Sequence, residues 1–247
     1  VAGHSKFKNI MYRKGAQDTK RAKIFARVSR EITVAIGAGG NTDPHKNPRL
    51  RSALSLARLH NMPKDNIKKA IDKALGGDTV DNMDEVVYEG YGPGGTAIIV
   101  ETLTDNRNRT ASEVRTPFTK FGGNLGETGS VSYLFDHVGF VIYSKKQVSF
   151  DDAFEFGADH SADDILDEDT HTRLVTAIEN FATLRDACME HFGDPEDQGL
   201  VWLPKTTVEI PTDKQEQFDK LIARLEDIDD VQDVYSNAMT STDDSET

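Results

Sequence analysis

The sequence predicts a multi-domain α+β protein that opens with a small helical bundle, and three observations predict it. Apolar residues recur at helical spacing in three stretches of the first 75 residues. Beyond residue 77 the texture changes to alternating strands and helices. The charge divides at the same place. Residues 1–75 hold 17 of the 29 Lys and Arg and five of the 42 Asp and Glu, a net +12, while the remainder carries 12 bases against 37 acids, a net −25. A segment that concentrates positive charge and adjoins an acidic body is the electrostatic footprint of a protein that grips a polyanion with one end.

The first helix is read between Lys20 and Ile36. Phe25, Val28, Ile32, Ala35 and Ile36 make its core face, and Lys20, Lys23, Arg27 and Arg30 follow at spacings of 3, 4 and 3. The stretch from Gly37 to Lys46 is a connector by composition, after which Asn47 as N-cap and Pro48 at the first position begin a second helix. Its inward residues are Leu50, Ala53, Leu54 and Ala57. Pro63 begins a third, with Ile67, Ala70, Ile71 and Ala74 inward and Lys64, Lys68 and Lys73 outward, and Gly76-Gly77 ends it. In the second part, Val86 to Tyr91 and Thr96 to Leu103 read as strands. Thr110 with Glu113 reads as a capping box opening a helix that Pro117 should kink or shorten. Strands at 139–144, 162–166, 172–178 and 199–203, with helices at 151–157 and 180–192, spell βαββαβ, the split βαβ pattern. A strand at 206–210, a helix at 213–226 and a strand at 231–235 close the chain, and from Ser236 the composition reads as a frayed tail.

Composition excludes several classes. The longest aliphatic run, Ala97 to Val100, falls far short of the roughly 20 residues that cross a bilayer, so no membrane partner is expected and the cytosol is the expected compartment. One cysteine, Cys188, leaves no internal disulfide and no cysteine-rich zinc cage. Gly90-x-Gly92-x-x-Gly95 fits the dinucleotide fingerprint as a string but is followed by a strand where the fingerprint needs a helix, so a glycine-rich turn is the reading. Gly122 to Gly129 lacks the Lys-Ser/Thr of a phosphate loop. His160, His171 and His191 are not at ligand spacing. No catalytic residues, cofactor or metal site are assigned.

The candidate nucleic-acid-binding residues are Lys6, Phe7, Lys8, Tyr12, Arg13, Lys14, Lys20, Arg21, Lys23, Arg27 and Arg30. Nine bases with Asp18 as the one acid among them point to phosphate contact rather than to a solvated face, and Phe7 and Tyr12 offer groups that stack or wedge. Lys23, Arg27 and Arg30 lie opposite Phe25, Val28 and Ile32, so they are expected to be free for a ligand. Arg107 and Arg109, in the turn Asp105 to Thr110, have two readings that stand level: an anion or partner site, or a tie to an acidic neighbour.

Long motifs then carry a resemblance. The opening AGHSKFKNI, Asn47-Pro48-Arg49-Leu50, Asn61-Met62-Pro63, the run Tyr88 to Gly95, the run Leu103 to Thr110, Gly122 to Gly126 and Gly129 to Phe135 together resemble the YebC family over nearly the whole chain. Phe7 stands where that family usually has Trp, and Pro117 interrupts a helix its members leave unbroken. The resemblance implies three domains: residues 1–77 as basic arm and bundle, 78–135 with 205–240 as a middle α/β domain, and 136–204 as a ferredoxin-like domain inserted into it, with 241–247 a disordered tail. It implies a non-enzymatic DNA-binding transcriptional regulator, or alternatively a ribosome-associated translation factor on ribosomal RNA, whose acidic domains meet the ribosome or other proteins. A nucleotide-binding enzyme using the Gly90 to Gly95 turn is the distant third reading.

Overall fold

The computed structural model describes residues 21–39, 41–76 and 83–239. Within these the chain forms two compact units, one built from Phe135–Leu203 and the other from the residues before and after it.

The flanking unit begins with helices α1 (Arg21–Gly39), α2 (Pro48–Leu59) and α3 (Lys64–Leu75), and α1 packs against both others. Their shared core is Val28, Ile32, Ala35, Ile36, Leu50, Ala53, Ala57, Met62, Ala70 and Ala74. The helical periodicity placed all of these but Met62, while Phe25, Leu54, Ile67 and Ile71, also expected inward, are partly buried. The expected connector does not start at Gly37, because α1 continues to Gly39, where a side chain would lie 2.6 Å from the Asn47 amide nitrogen. Asn47 itself locks the corner. Its side-chain oxygen accepts from Leu50 N at 3.0 Å, as an N-cap, and its amide donates to Ala35 O at 2.7 Å and Asn41 O at 2.9 Å.

Strands β1 (Asp84–Tyr91) and β2 (Ala97–Thr104) make an antiparallel hairpin whose turn has Gly94 at φ 76° and Gly95 at φ 78°. The glycines there serve backbone conformations closed to other residues. Helix α4 (Arg107–Lys120) follows, then β3 (Asn124–Leu125), and after the other unit come α7 (Thr212–Glu226) and β8 (Val231–Ser236). The sheet order is β3-β1-β2-β8, each pair antiparallel. Ile98, Val100, Val114, Phe118, Phe218, Leu221 and Leu225 fill the space between that sheet and its helices.

Further expectations fail in this unit. The helix after β2 opens at Asn106, whose side chain accepts from Arg109 N at 3.1 Å, so Thr110 lies inside the helix and caps nothing. Pro117 does not shorten α4, which runs on past it to Lys120, because the carbonyl that proline leaves without a donor belongs to solvent-exposed Glu113. Residues 206–210 form no strand: Val208 makes a single parallel bridge to Ala238. The chain end is also ordered further than its composition suggested. Ser236 pairs with Ile98, Asn237 is buried with its side chain accepting from Ala97 N at 2.7 Å, and of the expected tail only 240–247 lie outside the described residues.

The other unit runs β4 (Phe135–Ser144), α5 (Phe150–Asp159), β5 (Asp164–Asp167), β6 (His171–Ala177), α6 (Phe181–Phe192) and β7 (Asp197–Pro204). Its sheet order is β5-β6-β4-β7, with β4–β6 and β5–β6 antiparallel. Val141, Tyr143, Val148, Ala153, Leu174, Leu184 and Cys188 form its core. Ser149 caps α5, accepting from Asp152 N at 3.1 Å. Gly139 is required by packing, since a β-carbon there would stand 2.4 Å from the Phe181 ring.

Candidate nucleic-acid interface

The basic residues of the first third divide into two sets that sequence alone does not separate. The first set is on α1. Arg27 pairs with Asp233 of β8, and Arg30 pairs with Asp230 at 3.4 Å while donating to the carbonyl of Asp229. The side chains of Arg27 and Arg30 are each 27% exposed. Burial works against the Arg27 charge, but Asp233, with smaller help from Tyr235 and Glu31, more than offsets it, so the guanidinium is held charged. Lys23 is half-buried on the same face. The strip opposite the core face of α1 therefore packs on the turn at 229–230 and the start of β8 rather than standing free, and its two arginines already have carboxylate partners. On α2, Arg49 bridges Glu31 at 3.2 Å and also reaches Glu85 of β1.

The second set stays outward. Arg58 near the end of α2, and Lys64, Lys68, Lys69 and Lys73 of α3, are exposed, and none has an ion-pair partner among the described residues. Lys6, Phe7, Lys8, Tyr12, Arg13, Lys14 and Lys20 lie outside the described residues, and α1 begins at Arg21. Lys69 escaped the sequence reading, although its four-residue spacing to Lys73 matches that of Lys64 to Lys68. The acids that hold α1 also escaped it. The run Asp227, Asp229, Asp230 and Asp233, between a helix and a strand, was the available signal for a complement to the arginine strip.

Asp230 is the centre of a buried polar cluster. One oxygen accepts from Thr110 Oγ1 at 2.7 Å, Thr104 Oγ1 at 3.1 Å and the Arg109 guanidinium at 2.8 Å. Burial would raise its carboxyl, yet the bonds from Arg109, Thr110 and Thr104 outweigh that and hold it below the ordinary carboxylate range. Arg109 also meets Asp105 at 2.8 Å, and Arg107 meets Asp84 at 2.7 Å. The turn Asp105 to Thr110 thus ties β1, α4 and the acidic segment before β8 together.

Residues 5–77 match the model of the TACO1/YebC protein N-terminal domain, and residues 83–238 match that of the TACO1/YebC second and third domain. The chain belongs to the TACO1/YebC family. It is 50% identical over 244 residues to a probable transcriptional regulatory protein of Rickettsia canadensis, covering 98% of this chain and 97% of that one. It also resembles the crystal structure of a conserved hypothetical protein from Aquifex aeolicus, with a TM-score of 0.73 and 39% identity over 89% of this chain and 90% of the other.

In this TACO1/YebC chain, two of the motif stretches prove to be one device. Glu89, 4% exposed in the middle of Tyr88 to Gly95, accepts backbone N–H bonds from Gly129 at 2.8 Å, Val131 at 2.8 Å and Ser132 at 2.7 Å. Burial pushes its carboxyl up, and those three donors pull it further down. A carboxylate bonded in this way organises the loop 129–132 around β1. Gly90 beside it admits no side chain, because a β-carbon would sit 2.6 Å from Asn124 O. Cys188 is buried and its thiol is pushed up to about 12 by that burial, which removes the thiolate a nucleophile needs. His160 and His191 both stack on Phe156, at 3.9 and 4.9 Å between ring centres, and His171 pairs with Glu196. No helix among the described residues is long and apolar enough to cross a membrane.

Proposed function

We propose that this protein is a cytosolic, non-enzymatic, nucleic-acid-binding regulator of transcription that engages duplex DNA through its basic first third. One observation carries the reading. The net +12 of residues 1–75 adjoins a body of net −25, and even after the acidic segment 229–233 has taken Arg27 and Arg30, a set of exposed cations is left over on α2 and α3. The arm residues Lys6, Lys8, Arg13 and Lys14, which flank Phe7 and Tyr12, would add phosphate contacts, and Lys20 and Arg21 would extend them. The family relationship and the description of the Rickettsia relative as a probable transcriptional regulatory protein agree with this reading.

The organisation supporting it is residues 1–77 as the binding part, 78–135 with 205–240 as a middle domain, and 136–204 as an insertion. The strand order β5-β6-β4-β7 over a βαββαβ chain is that of a ferredoxin-like domain, which supports the inserted unit being one. The acidic units would orient the protein and meet protein partners.

The interleaving of Phe7 and Tyr12 with cations favours one rival, a translation factor on ribosomal RNA, because unpaired bases stack on aromatic rings. The test is co-sedimentation with ribosomes beside duplex-DNA binding at one salt concentration, for the wild type, Phe7→Ala and Tyr12→Ala. DNA binding little changed by either substitution is expected. Tight ribosome association that each substitution weakens by about 1–3 kcal/mol, with only weak DNA binding, would promote the rival.

A further inference from the structure

We infer that α3 is the element that enters the DNA, lying in the major groove with a row of lysines against each wall; this rests on the nucleic-acid reading above. The outward face of α3 is exposed from end to end: Lys64, Asp65, Lys68, Lys69, Asp72 and Lys73 are all in solvent, while Ala70 and Ala74 are buried against α1. At about 100° per residue, Lys64 and Lys68 lie on one flank and Lys69 and Lys73 on the other, with the two rows about 140° apart around the axis. Asp65 and Asp72 fall on the line between them.

That arrangement suits a groove better than a flat phosphate row. Laid on one strand, the helix would press Asp65 and Asp72 onto phosphates. Inserted, it places those carboxylates toward the groove floor, where the amino groups of cytosine and adenine donate, and turns each lysine row toward one strand's backbone. The dimensions agree. A helix with its side chains is about 10–12 Å across, and the B-form major groove is about 12 Å wide. The deep, narrow major groove of duplex RNA would not admit it. The ion pairs of α1 lie on the side that packs against the acidic segment, so inserting α3 asks nothing of Arg27 or Arg30.

The experiment compares the full chain with a variant carrying Lys64→Ala, Lys68→Ala, Lys69→Ala and Lys73→Ala, and with a charge-matched control carrying Lys120→Ala, Lys146→Ala, Lys214→Ala and Lys220→Ala. Each is titrated with a DNA duplex and an RNA duplex of the same sequence at several salt concentrations. The wild type and control should bind DNA over RNA. The α3 variant should lose affinity, and its log–log salt slope should flatten by about 0.9 per lost contact, up to about 3.6 for four. Wild-type affinity and slope in the α3 variant, with DNA binding retained, would overturn the role of α3 and leave the nucleic-acid reading standing. RNA bound as tightly as DNA, and lost equally, would overturn groove insertion. A wild type that binds neither duplex at low salt would overturn both.

Discussion

Replacing Asp230 by Ala removes the acceptor that two buried hydroxyls and two guanidiniums share. Thr104 and Thr110 are fully buried and each donates to the carboxylate, at 3.1 and 2.7 Å. A hydrogen bond to a charged group contributes about 1.5–3 kcal/mol, and the lower end applies because the two hydroxyls lie 2.7 Å apart and can re-pair. That gives a loss of about 3 kcal/mol. Arg109, with 44% of its side chain in solvent, adds little once screening is counted. At about 2–4 °C per kcal/mol for a chain of this size, the melting transition should fall by about 6–12 °C in scanning calorimetry. Asp230→Asn keeps an acceptor in place and should cost about half as much. Acidity supplies a second check. The folded carboxyl lies below its ordinary 3.8, so its contribution is present above that value and is lost as the pH falls through the lowered one. The gap between wild type and Asp230→Ala should therefore narrow as the pH falls through the lowered value. A loss under about 1 kcal/mol at neutral pH, or a gap that does not narrow in acid, would refute the assignment of Asp230 as the keystone of this cluster.

Further outcomes follow from the same geometry. The single tryptophan, Trp202, stacks on His137 at 4.0 Å, and burial holds His137 below its ordinary 6.5, so Trp202 fluorescence should titrate with a midpoint under that value and the titration should vanish in His137→Phe. Because the depressed value favours the neutral ring, this contribution to stability is present above pH 6.5 and fades as the pH falls, which chemical denaturation followed at Trp202 will read. Gly139→Ala forces a methyl into the Phe181 ring and should destabilise the unit Phe135–Leu203 by about 1–3 kcal/mol, measured by urea unfolding.

Most helices and strands were legible because one face of each is buried and the other wet, and burial on one side writes a period into the sequence. Val28, Ile32 and Ala35 mark α1 in this way, and Phe218, Leu221, Ile222 and Leu225 mark α7. What was not legible depended on partners remote in the chain. Nothing near Arg27 announces Asp233, 206 positions away, so an arginine opposite the core face reads as a free cation when it is an ion-paired one. The capping box at Thr110 failed for a related reason. Its spacing is right, but Asn106 stands earlier, and the hydroxyl of Thr110 is claimed by Asp230 from across the unit. The strand expected at 206–210 had suitable residues and found no sheet edge, only the single contact of Val208 with Ala238. Of the candidate site, the charge imbalance was plain in composition. The division between cations turned inward on α1 and cations turned outward on α3 was not, since both helices show basic residues opposite their apolar stripe.

The pairing of β2 with β8 also sets an order of events during synthesis. Strand β2 ends at Thr104, but its neighbour starts at Val231, and the turn that receives Arg27 and Arg30 immediately precedes and opens that strand. A ribosome adds about 5–20 residues per second, so for several seconds the hairpin β1–β2 and the helices before it exist with one sheet edge open and two arginines unpaired. The segment Phe135–Leu203, contiguous in the chain, has no such wait and can close as soon as it emerges. The unit Phe135–Leu203 is thus positioned to fold first, while the other unit, whose beginning came off the ribosome earlier, is completed last.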